Sequence, residues 1–192
     1  MDLSAERLND SLDLCGPWNA LRNGDFRAAN RTDASNATFA FWTATGSVNA
    51  SATDIGEVEL GASSTLSQSF LDLMNGGGAN GPWSYGVVAS SSGTVSGTVK
   101  IEWGENDYTS ESYIPFTDGD LGATPLLLSS MFNLFDSSLG YLRLSITTDS
   151  TSTGTLSVYN AFATMGRTFR GHHQERATSN IDVRGVLATG GL

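Results

Sequence analysis

Between residues 63 and 103 apolar and polar side chains take turns along the chain, and this period of two limits the fold more than any other feature of the sequence. In residues 94–103, Val95, Val99, Ile101 and Trp103 share one parity, while Thr94, Thr98, Lys100 and Glu102 share the other. Successive side chains of a β-strand point to opposite faces, so such a run has one dry side and one wet side. Trp83, Tyr85, Val87 and Ala89 alternate in the same way, and Leu66, Gln68 and Phe70 do so in the run before them. Glycine and serine fill the gaps, at residues 76–81 and 90–93. Together these signals predict a meander of antiparallel strands and not helices. Gln68 shares the parity of Leu66 and Phe70, so its amide needs a hydrogen-bond partner inside.

Alternation extends on both sides of this stretch. Leu142, Leu144 and Ile146 oppose Tyr141, Arg143 and Ser145; Val58 and Leu60 oppose Glu57 and Glu59; Leu156 and Val158 belong to a further strand. Residues 38–46 read as one strand in which Phe39 and Phe41 share a face and Trp42 takes the other. One of these aromatics must then lie outside the core. If it is Trp42, its flat ring is a candidate platform for a sugar; the other reading packs it under the N-terminal segment or a neighbouring subunit. Residues 126–135 are the most apolar segment and lack clean alternation, which suits a strand running into a helical turn or a patch meant for another chain.

A strand ending Ser67-Gln68-Ser69-Phe70, a glycine loop, an aromatic-led strand from Trp83, a serine-glycine turn and a Thr-Val-rich strand follow one another here. In order and spacing they resemble the middle of the jelly-roll carbohydrate-binding modules attached to many glycoside hydrolases, modules that recur in virion proteins of tailed phages. Leu21-Arg22-Asn23-Gly24-Asp25-Phe26 resembles the opening signature of those modules, and Gly154-Thr155-Leu156-Ser157-Val158-Tyr159-Asn160-Ala161-Phe162 resembles their closing strand. The resemblance covers residues 21–165. It implies an all-β fold, an antiparallel two-sheet jelly-roll sandwich; outside it lie a short helical or anchoring segment over residues 1–20 and an extended arm over residues 166–192, both read from their own residues. It also implies a structural calcium between the opening and closing strands, with Asp25 and Asn160 as the candidate ligands. Asn160 stands where an aspartate is typical and Arg27 where a glutamate is usual, and the alternative is that Asp25 bonds its own turn.

The flanks have their own signals. Leu3, Leu8, Leu12 and Leu14 lie among Asp2, Glu6, Asp10 and Asp13, with Gly16-Pro17 as a stop, and predict a short helix. A helix so short is marginal alone, so it either anchors to a partner or lids the sandwich. At the other end Arg167, Arg170, Arg176 and Arg184 face only Glu175 and Asp182, a basic run on a chain whose net charge is −10. Residues 181–187, with Ile181 and Val183, form a β-prone run suited to adding onto a neighbour's sheet edge. These residues, Arg167, Arg170, Arg176, Ile181, Val183 and Arg184, are the candidate assembly contacts.

Several function classes fall away. Lysine occurs once, at Lys100, and the acidic balance opposes a grip on nucleic-acid phosphates. A single cysteine, Cys15, permits no intrachain disulfide, and neither a signal-peptide pattern nor a membrane span is present, so the chain is expected to be made in a host cytoplasm and to end in the virion. The only histidines, His172 and His173, lie in the basic run and give no triad or metal-ligand spacing. The acidic stretches 105–111 and 118–120 have no regular calcium-loop spacing and are expected to be solvated. No catalytic residue is therefore named. With these classes gone, the resemblance implies a non-enzymatic virion structural protein of a tailed phage, a capsid decoration or tail-region component. It would be a homo-oligomer, with a trimer as first guess, bound to major capsid or tail proteins. The alternative is a carbohydrate-binding or host receptor-binding module that recognises a surface carbohydrate.

Overall fold

A computed structural model describes residues 19–30, 38–51, 54–70, 81–105, 107–134 and 141–165. In chain order its strands are β1 (Ala29–Asn30), β2 (Thr38–Phe39), β3 (Thr43–Thr45), β4 (Val48–Ala50), β5 (Val58–Leu60), β6 (Thr65–Ser69), β7 (Gly81–Ser92), β8 (Ser96–Gly104), β9 (Ser110–Thr117), β10 (Leu126–Leu134), β11 (Tyr141–Thr148) and β12 (Thr155–Met165). They form a small β1-β2 ribbon and two five-stranded sheets, a front sheet ordered β3-β6-β11-β8-β9 and a back sheet ordered β10-β7-β12-β5-β4. Every pairing is antiparallel. The protein is thus the all-β, two-sheet jelly-roll sandwich that the alternation and the resemblance imply. The helix expected before Gly16 and the arm with Arg167, Arg170, Arg176, Ile181, Val183 and Arg184 lie outside the described residues, as do His172 and His173.

The dry parity of each strand meets its counterpart between the sheets. Val95, Val99, Ile101, Leu142, Leu144 and Ile146 from the front are fully buried against Trp83, Tyr85, Val87, Leu156 and Val158 from the back. Trp103 is only partly covered, yet its ring stacks on Phe132 with centroids 4.8 Å apart. Phe132 also meets Trp83 at 6.4 Å, and Trp83 meets Phe70 at 6.1 Å, so one run of aromatic rings crosses the sandwich. Tyr85 shares this core, and its hydroxyl is paired with Ser112 Oγ of the opposite sheet at 2.9 Å, the polar tip satisfied inside as burial requires.

The chain's opening and closing motifs meet along β12, the middle strand of the back sheet. Ala20 N–H donates to Ala163 O at 2.7 Å and Ala161 N–H to Gly24 O at 2.8 Å, so residues 19–24 run beside β12 where β5 has ended. Gly24 is required there, because a Cβ would lie 2.4 Å from Ala161 O. Gln68 finds its partner in this segment. Its Nε2 donates to Arg22 O at 2.8 Å and its Oε1 accepts from Arg22 N–H at 2.7 Å.

Two local expectations need correction. Residues 38–46 are not one strand: Trp42 N–H bonds back to Phe39 O at 3.0 Å, and Phe41 has φ of +70°, so a turn separates β2 from β3 and reverses the parity of the residues beyond it. Residues 126–134 form one regular strand, β10, whose uneven hydrophobicity reflects its place at a sheet edge and not a helical turn.

Candidate functional site

The wet parity of the front sheet assembles into rows that run across its strands. Ser69, Arg143, Glu102 and Glu111 are consecutive cross-strand neighbours, and beside them lie Ser67, Ser145, Lys100 and Tyr113. Period-two geometry places all of them on the face turned away from the core. Glu102 and Glu111 stand directly opposite each other, a destabilising arrangement for like charges unless a cation intervenes. Lys100 does so, with Nζ 2.9 Å from Glu102 and 3.3 Å from Glu111. Arg143 Nε donates to the other Glu102 oxygen at 2.9 Å.

Glu102 is the anchor of this face. Burial would raise its carboxyl, but hydrogen bonds from Arg143 and Lys100, with their charges, outweigh that and hold it below the ordinary value of 4.5. The hydrogen bond to Glu102, against an opposing desolvation, likewise holds the Lys100 ammonium above its ordinary value. Both groups are ionised near neutrality, and the network fixes the Arg143 guanidinium in place. The Arg143 plane lies over the Tyr108 ring at 3.9 Å, a cation–π contact. Tyr108 meets Tyr141 edge-on at 5.4 Å, and its hydroxyl pairs with Ser69 Oγ at 2.9 Å. Its loop closes through Thr109 N–H to Trp103 O, and the loop turns the ring back onto the sheet. Tyr141 and Tyr113 remain open to solvent, 42% and 59% exposed. The face therefore combines fixed hydrogen-bonding charges at its centre with open aromatic rings at its margins.

The residues singled out from sequence lie elsewhere. Trp42 is 8% exposed, packs on Phe26 at 5.1 Å and donates Nε1–H to Asn23 O at 3.1 Å. It offers no open ring for a sugar, because the turn at Phe41 sends Trp42 inward and Phe41 outward under Arg22 at 5.2 Å. Asp25 pairs with Arg27 at 3.5 Å. Asn160 follows an irregularity in the β12–β7 register and is fully buried, and neither Oδ1 nor Nδ2 has a partner. Oδ1 is a suitable donor to a hard ion, but Nδ2 is not, and Arg27 already holds the carboxylate that would supply the charge. Calcium takes six to eight oxygens, and among the described residues no group of three or more His, Cys, Asp or Glu could hold a metal ion. No role is derived for the ion.

Sequence reasoning missed the front-face cluster although its parts were visible. Lys100 and Glu102 fall on the wet parity of β8, and Tyr141, Arg143 and Ser145 on that of β11. The missing information was that β8 and β11 are neighbours.

Comparisons with known proteins agree on the fold. No protein-family model matches the sequence, and no curated protein matches it. A xylan-binding CBM22-1 domain from Paenibacillus barcinonensis Xyn10C superposes with a TM-score of 0.53 at 10% identity, over 80% of this chain and 98% of that one. TmCBM61, solved in complex with β-1,4-galactotriose, gives 0.52 at 13% identity, over 78% of this chain and 99% of that one. The enzymatically active domain of tailspike protein 4 from bacteriophage CBA120 gives 0.52 at 12% identity over 76% of this chain, which spans only 21% of the tailspike chain. The chain has the jelly roll of carbohydrate-binding modules. Among the described residues no helix is long and apolar enough to cross a membrane.

Proposed function

We propose that this protein is a non-catalytic carbohydrate-binding sandwich that holds a glycan across the outer face of its front sheet. The observation that supports this most is the pairing of exposed Tyr141 and Tyr113 with the fixed Arg143–Glu102–Lys100 network on one face. Aromatic rings stack on the C–H faces of pyranose rings, and ionised groups already held in place bond hydroxyls without a large ordering cost. The likeness to modules solved with or named for β-linked glycans points the same way. Glu102 does not suit the general-acid role in glycoside hydrolysis. A general acid needs a raised pKa, whereas Glu102 is held low by two cations.

The test is titration of the full chain with β-1,4-galactotriose, xylan and bacterial surface polysaccharides, followed by calorimetry or tyrosine fluorescence. Binding to at least one is expected, with Tyr141→Ala and Tyr113→Ala each weakening it about tenfold, the scale of one lost aromatic contact. Failure of every glycan to bind, or equal binding by the double variant, would overturn the assignment.

A second reading makes this sandwich part of a tailed-phage virion, as a decoration or tail-region component. Its support is the likeness to the tailspike domain and the basic run from Arg167 to Arg184 on an acidic chain. Antibody labelling of native particles in the electron microscope distinguishes this role from that of a free binding module.

A further inference from the structure

We infer that the β10 edge of the back sheet is a self-association surface, and that two copies of the chain pair through it in antiparallel fashion to form one continuous sheet. Each five-stranded sheet has two edges, and a free edge is a template for another strand unless something blunts it. Three of the four are blunted. β3 and β4 have 3 residues each, and β9 carries Glu111 and Pro115. β10 is different. It runs for 9 residues, contains neither charge nor proline, and pairs along its whole length with β7 on one side only among the described residues. It also displays apolar surface, with Leu126 43% and Met131 60% exposed.

The occupant is a second copy because β10 is complementary to itself. Each chain has a net charge of −10, and β10 is an uncharged strand on which two copies meet without opposing like charges. An antiparallel pairing centred on Ser130 would set Leu126 against Leu134 and Leu128 against Phe132 on the core side. On the outer side it would set Ser129 against Met131. The half-covered Leu126 and Leu128 would gain apolar neighbours, and no like charges would face each other. The contact is the same patch on both copies, so it closes as a twofold dimer and not as the trimer expected from sequence. Its axis stands perpendicular to the joined sheet. Both front faces then point the same way, although the pairing does not depend on what those faces bind.

Sedimentation equilibrium of the full chain tests this. The expected mass is twice 20.2 kDa for the wild type. The double variant Ser129→Lys/Met131→Lys, which puts lysines opposite lysines at exposed positions, is expected to fall to the single-chain mass. Circular dichroism should show the variant folded. Should it fail to fold, amide exchange on the wild type gives the answer: β10 amides are expected to exchange more slowly as protein concentration rises. A wild type that sediments as a monomer or a trimer, a double variant that still dimerises, or exchange at β10 that ignores concentration would overturn the inference.

Discussion

Replacement of Trp83 by alanine is expected to destabilise the protein by about 3–5 kcal/mol, the range for truncating a large buried aromatic. Trp83 is fully buried, and its ring links Phe70 to Phe132, which in turn stacks on Trp103. Removal leaves a void between two sheets whose backbones cannot close on it, because β7 is pinned by β10 on one side and β12 on the other. Urea unfolding followed by circular dichroism measures the loss. A change below about 1 kcal/mol would mean that the surrounding rings collapse into the space, contrary to the rigidity argued here.

Glu102→Ala is expected to cost about 2 kcal/mol near neutral pH. The figure lies between the small worth of exposed ion pairs and the larger cost of breaking buried ones. The Glu102 side chain is 10% exposed, whereas Lys100 and Arg143 are 31% and 34% exposed and partly screened. The pH dependence has a definite sign. A carboxyl held below its unfolded value stabilises the fold above that value, so the gap between wild type and variant should be full above the ordinary 4.5 and shrink as pH falls through the lower, folded-state pKa. Lys100 has the opposite sign. Its raised pKa stabilises below the ordinary 10.5, and that contribution fades as pH rises through the folded-state value. Urea midpoints of both proteins across this range check the claim, and a gap that stays constant on acidification would refute it.

The dry strands were legible because their information is local. Val95, Val99 and Ile101 announce their face by spacing alone, and Leu142, Leu144 and Ile146 do the same. Gln68 was also legible, since a polar side chain on a dry face must be answered somewhere, although its partner at Arg22 lies 46 residues away. What failed depended on backbone or on neighbours distant in sequence. The positive φ at Phe41 has no sequence signal in a non-glycine residue, so spacing alone left open whether Trp42 packs inside or faces solvent. Tyr108 looked like part of a solvated acidic loop, and only the fold turns it back onto Arg143. The front-face site needed the register of β11 between β6 and β8, which periodicity within one strand cannot provide.

The last two strands of the body, β11 and β12, occupy the middle of the two sheets. Until residues 141–165 have left the ribosome, β3-β6 has no bridge to β8-β9, and β10-β7 has none to β5-β4. A nascent chain therefore holds four unjoined fragments, each too small to bury its dry face alone. Such a domain completes itself only once its last strand has emerged, in one late step dominated by contacts between distant residues, and a message cut before that strand yields no partial sandwich but a substrate for proteases.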